Sequence, residues 1–414
     1  MRLVRSWAVP ASFALASCVS YRPAPLDLTV ASTAPVRPPS SMTYAEAVAF
    51  AVANNPDLRA LRARAAAINP DPGPEPLELS VGVDSDHRPE AELALDALSL
   101  LGIGPRAAER ALARARASEA WLRHHERARE IAGEIAEAVE TERALAGLSL
   151  PAVALDVDAY VRAGLEPAAA NTAAKSTTSS LEAERVSVDA ARRRAQRRLA
   201  RLLGAPADAL LTVTSPPAPW PPVVAADGNA LVAARADLQR RFAQYETADA
   251  ELRRAIAAQM PGITLVPGVA SDPVVFFGHV GIRLPVGAPK EARAAECARE
   301  AVRHEVEGAV LDALSEAAIA RDDAVAAGRR LGAARDALAG AQGLFESSKA
   351  RLQTTGGSVL EPVLAAQSVV AAARDLREAL VEDAEARVRA ARAAGWPSAT
   401  ASAACAAAAP GAPR

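Results

Sequence analysis

Two stretches of this chain follow the same order of elements, and that duplication constrains the fold more than any bulk property does. The first opens with Met42-Thr43-Tyr44-Ala45-Glu46-Ala47-Val48 and runs to Asn54-Asn55-Pro56-Asp57-Leu58. The second opens with Asn229-Ala230-Leu231-Val232 and runs to Arg235-Ala236-Asp237-Leu238. Each opening reads as a polar-capped helix. Each then reaches a Pro or Gly break and a segment of alternating type, Leu77 to Val83 in the first and Gly262 to Val266 in the second. A turn follows, Asp84 to Pro89 or Ser271 to Pro273, and a second strand returns through Glu92 to Asp96 or Val274 to Pro285. Both halves are therefore predicted to hold one β-hairpin, about 77–100 and about 262–286.

Beyond each hairpin, at Gly104-Pro105 and Gly287-Ala288-Pro289, the pattern changes to Ala, Leu, Ile and Val recurring at threes and fours among Arg and Glu, the mark of long amphipathic helices. The first run is expected to break near Arg162 to Pro167 and to return to Leu202-Leu203-Gly204. The second is expected to break near Thr355-Gly356-Gly357-Ser358 and to return to Gly395-Trp396-Pro397. Each half thus ends in a helical hairpin, about 105–204 and about 289–397. Repeats of 42–204 and 229–397, spaced by roughly 180 to 190 residues, lie far above a solenoid period and indicate a duplicated unit. Between them, 205–228 carries Pro216, Pro217, Pro219, Pro221 and Pro222 around Trp220 and reads as an extended connector.

Composition agrees with a helical body. Half of the 414 residues are apolar but only 3% are aromatic, and Ala, Leu, Glu and Arg are the alphabet of long packed helices. A net charge of -2 leaves no excess positive field for a polyanion, which sets nucleic-acid binding aside.

The N-terminus carries Arg2 and Arg5 ahead of an apolar run from Trp7 to Ala16, too short to span a bilayer permanently and suited to an export signal over 1–17. The run ends in Leu15-Ala16-Ser17-Cys18, which resembles the bacterial lipobox and implies lipidation at Cys18. An ordinary small-residue cleavage site beside an incidental Cys is the alternative. Val19 stands where an Asp would favour inner-membrane retention, so the resemblance points to the outer membrane. Residues 18–41, rich in Pro, Ser and Ala, read as a flexible tether, and the Ala-rich 398–414 as a disordered tail. Cys297 and Cys405 suggest no disulfide framework.

No catalytic grouping stands out, and no metal or cofactor is expected. His124 and His125 are neighbours on a helix and point in different directions, a poor metal pair, and read as solvated or rim residues. No Gly-rich phosphate loop lies between a strand and a helix, and only three Met are present, which disfavours a thioether relay for Cu(I). In the first hairpin Leu77, Leu79, Val81 and Val83 share one face and Glu78, Ser80, Gly82 and Asp84 the other. Both a pore wall and a half-buried soluble sheet show such alternation. Aromatic girdles are poor, with Phe276 and Phe277 the main candidates.

The order helix, β-hairpin, helical hairpin, taken twice, resembles the TolC family of outer-membrane factors over nearly the whole mature chain. The specific pieces are Ala47 to Leu58, which resembles the family's opening helix, and Arg351 to Gln367, which resembles its hairpin tip, with Leu352 in place of an aromatic and an inserted Pro362. Tyr160-Val161-Arg162-Ala163-Gly164-Leu165 is similar to the first tip. The resemblance implies a mainly α fold with a small β part. It implies a homotrimer in which an α-helical barrel joins a shared outer-membrane β-barrel of about twelve strands. It also implies a passive exit duct of an efflux or type I secretion assembly, with a periplasmic adaptor (membrane fusion) protein and an inner-membrane RND or ABC transporter as partners. Tyr160, Gly164, Leu165, Gly356, Gly357, Ser358 and Leu360 would then form the gate and adaptor tips, with Asp156, Asp158 and Glu166 as an acidic ring lining the bore. For the tip glycines, turn geometry alone is an equal reading. A lipid-tethered periplasmic coiled-coil scaffold is the competing function, and it leaves the β-hairpins unexplained. A hydrolytic enzyme would need a nucleophile positioned beside a base.

Overall fold

The computed structural model describes residues 37–71, 78–83, 89–96, 105–150, 168–209, 211–215, 228–260, 262–271, 274–283, 288–355 and 358–396. Within these the chain is mainly helical, with six short strands. The first repeat begins with β1 (Ser41–Thr43), α1 (Tyr44–Asn54) and α2 (Pro56–Ala66). Thr43 and Glu46 form a capping box: the Thr43 hydroxyl accepts from Glu46 N at 3.3 Å and the Glu46 carboxylate accepts from Thr43 N at 2.7 Å. Asn55 then breaks the helix and starts the next, its side-chain oxygen accepting from Asp57 N and Leu58 N ahead of Pro56 at the first helical position. Strands β2 (Glu78–Val83) and β3 (Pro89–Asp96) follow, then α3 (Pro105–Ala146) and α4 (Ala168–Leu203).

The second repeat runs through β4 (Thr212–Ser215), α5 (Gly228–Ala234), α6 (Ala236–Ala257), β5 (Gly262–Ser271), β6 (Val274–Arg283), α7 (Ala288–Thr355) and α8 (Leu360–Ala393). At 68 residues α7 is about 100 Å long, roughly three times the depth of a bilayer's apolar layer. The four hairpin strands form one antiparallel sheet in the order β2-β3-β5-β6, with Glu78 opposite Ala94, Ala91 opposite Val269 and Leu265 opposite Val280. Among the helices that continue from these strands, α2 packs on α3, α3 on α6 and α6 on α7, so the helical wall keeps the lateral order of the sheet. Further from the sheet, α4 packs on α3, α3 on α8 and α8 on α7.

A core at the junction of these two levels joins α1 to α3 and α4 through Tyr44, Val48, Leu58, Ile131, Ile135 and Leu203, all at most 5% exposed. Tyr44 donates to the Ala132 carbonyl at 3.0 Å and its ring stacks on Trp396 at 5.6 Å, which ties the start of the first repeat to the end of the second. Both repeats close alike. Gly204 and Gly395 have φ of +68° and +92°, and each ends its helix with paired backbone bonds: Ala205 N to Ala200 O at 2.9 Å, and Trp396 N to Ala391 O at 2.9 Å.

Three features differ from the sequence reading. Helix α3 ends at Ala146, ahead of Gly147 and Pro151, so the helical run is interrupted earlier than expected; the expected break near Arg162 to Pro167 lies outside the described residues. Pro restricts the residue before it and cannot donate to a helical ladder, so a stop ahead of Pro151 has a local cause. The Pro-rich connector contains a strand, β4, which pairs in parallel with β1 through Met42 and Val213. His124 is completely buried rather than solvated, because it falls on the apolar stripe of Ala117, Ala128, Ile131 and Ile135.

Candidate functional site

The helical wall has two unlike faces. On α3 the positions that meet α1 and the core are Ala128, Ala132, Ile135 and Val139. The row Glu126, Glu130, Glu137 and Thr141 is offset from these by two residues, about half a turn, and so points the other way. Residues of this row line two grooves. One, of about 730 Å³, is bounded by α3, α6, α7 and α8 and lined by Glu126, Glu130, Asp237, Asp312, Glu316 and Asp323, with Arg129, Arg235, Arg389 and Arg392 among them. The other, of about 420 Å³, is bounded by α3, α4 and α8 and lined by Thr141, Arg194, Arg198, Arg377, Glu378, Glu382 and Glu385.

The walls of both grooves are laced by ion pairs between helices. Arg240 on α6 meets Glu126 on α3 at 2.5 Å, Arg235 binds Asp237 and Glu316 at 2.8 Å each, and Arg198 on α4 meets Glu137 on α3 at 2.6 Å. Burial raises the Glu126 carboxyl despite its Arg240 partner, and burial with the nearby Glu137 raises Glu385. Asp237 is also penalised by burial, but its bonds to Arg235 outweigh that and hold it below the usual carboxylate value. The face is therefore polar and charged over two grooves, yet no three His, Cys, Asp or Glu side chains among the described residues converge as a metal site.

One pair has a measurable weight. Glu184 on α4 is 4% exposed and meets Arg377 on α8 at 2.5 Å, with Arg374 at 3.7 Å. Removing one partner of such a pair strands the other charge. Arg377→Leu is expected to lower stability by about 3 kcal/mol in urea titrations, and Glu184→Leu added to it to recover most of the loss. An additive double variant would show that the pair does not hold α4 to α8.

Of the gate and adaptor tip residues expected from sequence, Ser358 and Leu360 are described. The Ser358 hydroxyl accepts from Leu360 N at 3.1 Å at the start of α8, and Leu360 and Leu364 are 46% and 53% exposed, an apolar patch at the far end of the wall. Cys18, Asp156, Asp158, Tyr160, Gly164, Leu165, Glu166, Gly356 and Gly357 lie outside the described residues, as do the side chains of Phe276 and Phe277. The groove charges had no sequence signal of their own, since three or four helices contribute to each.

No protein-family model and no curated protein sequence matches the chain. Solved structures do. The outer-membrane channel OprN aligns over 91% of this chain and 98% of its own, with a TM-score of 0.69 and 17% identity. The outer membrane protein VceC of Vibrio cholerae aligns over 85% and 96%, with a TM-score of 0.65 and 16% identity. The open state of the MtrE outer membrane channel of Neisseria gonorrhoeae aligns over 85% and 88%, with a TM-score of 0.66 and 16% identity. The chain has the fold of these outer-membrane proteins.

Proposed function

We propose that three copies of this chain form a passive exit duct through the outer membrane. The observation that carries the reading is the sheet: four antiparallel strands with β2 and β6 at its two edges, continuing into helices of the same lateral order. Unpaired strand edges are intolerable in lipid, and four strands cannot close on themselves. Because β2 and β6 run in opposite directions, β6 of one copy can pair with β2 of the next without breaking the antiparallel alternation. Three copies give about twelve strands, within the range of outer-membrane barrels. The layer of α1, β1 and β4 would obstruct a bore if it lay inside, so the grooved charged face lines the water path and α1 lies outside.

The likeness to the OprN and MtrE outer-membrane channels supports an efflux role. The same reading places a lipid on Cys18, a periplasmic adaptor at the tips around Gly164-Leu165 and Gly356 to Leu360, and an inner-membrane RND or ABC pump beyond it. Asp156, Asp158 and Glu166 would repeat around the mouth as a cation-favouring ring. Nothing in a wide polar duct names the cargo, which pump and adaptor select.

Single-channel recording on the detergent-purified oligomer in planar bilayers tests the duct: discrete ion conductance is expected, whereas a silent, intact trimer would favour the tethered scaffold. Cys18→Ala is expected to abolish incorporation of labelled palmitate, and equal labelling of variant and wild type would remove the anchor from the reading.

A further inference from the structure

The two lateral ends of the helical wall are α4 and α7, and their outward edges carry opposite charges at matching heights. On α7 the buried positions Ala327, Leu331, Ala334, Leu338 and Ala341 face the rest of the chain, while Asp322, Arg329 and Asp336, each seven residues from the next, form one exposed stripe on the other side. On α4 the exposed charged positions Arg185, Asp189, Arg193 and Arg197 follow one another at four-residue steps, a row that drifts around the helix by about 40° per step. Among the described residues Asp189, Arg197, Arg329 and Asp336 make no ion pair. Arg185 and Asp322 have only weak 3.4 Å contacts to Glu182 and Arg321 on their own helices.

Contacts inside the protomer fix the heights. Helices α4 and α8 run in parallel, with Glu184 meeting Arg377; five residues further along both, Asp189 stands level with Glu382. Glu382 meets Arg330 on the antiparallel α7, so Asp189 lies at the height of Arg329 and Arg330. Eight residues further up α4, Arg197 falls level with Asp322, and four residues below Asp189, Arg185 falls within about 3 Å of the height of Asp336 at the helical rise per residue.

Resting on the duct reading, we propose that these edges form a charge ladder between neighbouring copies, in which Arg185, Asp189 and Arg197 of one copy face Asp336, Arg329 and Asp322 of the next. Rotation about an axis along the helices keeps every residue at its own height, so opposite charges at equal heights select a closed ring. A slip of one helical turn, about 5.4 Å, would place Arg197 beside Ala318 or Ala326 and Asp189 beside Val325 or Ala333, and would set Arg185 against Arg330 or Leu338, so that of the three pairs only a substitute contact of Arg193 with Asp322 survives, and only for one direction of slip. The ladder thereby favours the closed ring over the helical, non-closing arrangements that a lateral contact between identical copies also permits, by three opposite pairs against at most one.

The test uses the full chain extracted in non-ionic detergent. Arg197→Asp and Asp322→Arg, each alone, are expected to cut the fraction of trimer surviving mild heating by about tenfold, and the double reversal to restore it to within about twofold. In a Cys297→Ser, Cys405→Ser background, Asp189→Cys with Arg329→Cys is expected to give disulfide-linked dimers and trimers, and Asp189→Cys with Val325→Cys only traces. Single reversals without effect, a double reversal no better than the singles, or stronger crosslinking through position 325 would overturn the ladder while leaving the trimer standing. A wild type that is monomeric and non-conducting would instead overturn the duct reading itself, and the ladder with it.

Discussion

Gly395→Ala is expected to unfold the junction between the two repeats, at a cost of about 3 to 5 kcal/mol. Two effects add. With φ at +92° the position is strained for any L side chain, and a Cβ built there would stand 2.5 Å from the Ala234 Cβ and 2.9 Å from its carbonyl carbon, a neighbour that cannot rotate away. Gly204 repeats the arrangement, with φ at +68° and its Cβ position 2.8 Å from the Asn54 carbonyl oxygen, so Gly204→Ala should fail in the same way and slightly less severely. Both glycines press the end of a returning helix onto the break between two others, Asn54-Asn55 in the first repeat and Ala234-Arg235 in the second. Urea titrations with helical circular dichroism give the measurement. A Gly395→Ala protein within about 1 kcal/mol of wild type would mean that the junction can open without loss.

That junction also shows how far the sequence could be read. The repeat was legible because element order, helix starts and breaks recur, and because Gly204 and Gly395 fall at corresponding places. What the alignment of Asn55 with Arg235 did not convey is that unlike side chains serve one end. The Asn55 amide donates to the Leu202 carbonyl at 2.9 Å and caps α2, whereas the Arg235 guanidinium reaches the Ala393 carbonyl at 3.4 Å and pairs with Asp237. The end of α3 at Ala146 has little signal in the sequence, because apolar residues continue beyond Pro151 at helical spacing and mask the stop that the proline imposes. Strand β4 was hidden by its neighbours: Thr212 to Ser215 is a short alternating segment beside a run of prolines, and only pairing with β1, far away in sequence, makes it a strand. The grooves and the edge charges required the tertiary structure, since amphipathic periodicity separates wet from dry positions but does not tell which wet positions line a groove and which form an outer edge.

Acid is expected to destabilise the wall between pH 6.5 and pH 4 through His124. The side chain is fully buried, its ring is edge-on to Trp121 at 5.8 Å and to His125 at 5.9 Å, and among the described residues neither ring nitrogen has a hydrogen-bond partner. Burial first, then the neighbouring His125 and Arg62, push the imidazole down from 6.5 to about 4. The sign follows from linkage. Below pH 6.5 the unfolded chain takes up a proton that the folded chain refuses until about pH 4, so stability falls across that window by at most about 3 kcal/mol per copy. His125, lowered by burial and Arg129, adds to the loss, whereas Glu126 and Glu385, both raised, oppose it by protonating more readily when folded. His124→Leu isolates the one contribution, because it fills a similar volume and leaves no polar atom to desolvate. The variant should match or exceed wild-type stability at pH 7.5, and its unfolding midpoint should change far less from pH 6.5 to pH 4. A slope equal to that of the wild type would place the acid sensitivity elsewhere in the wall.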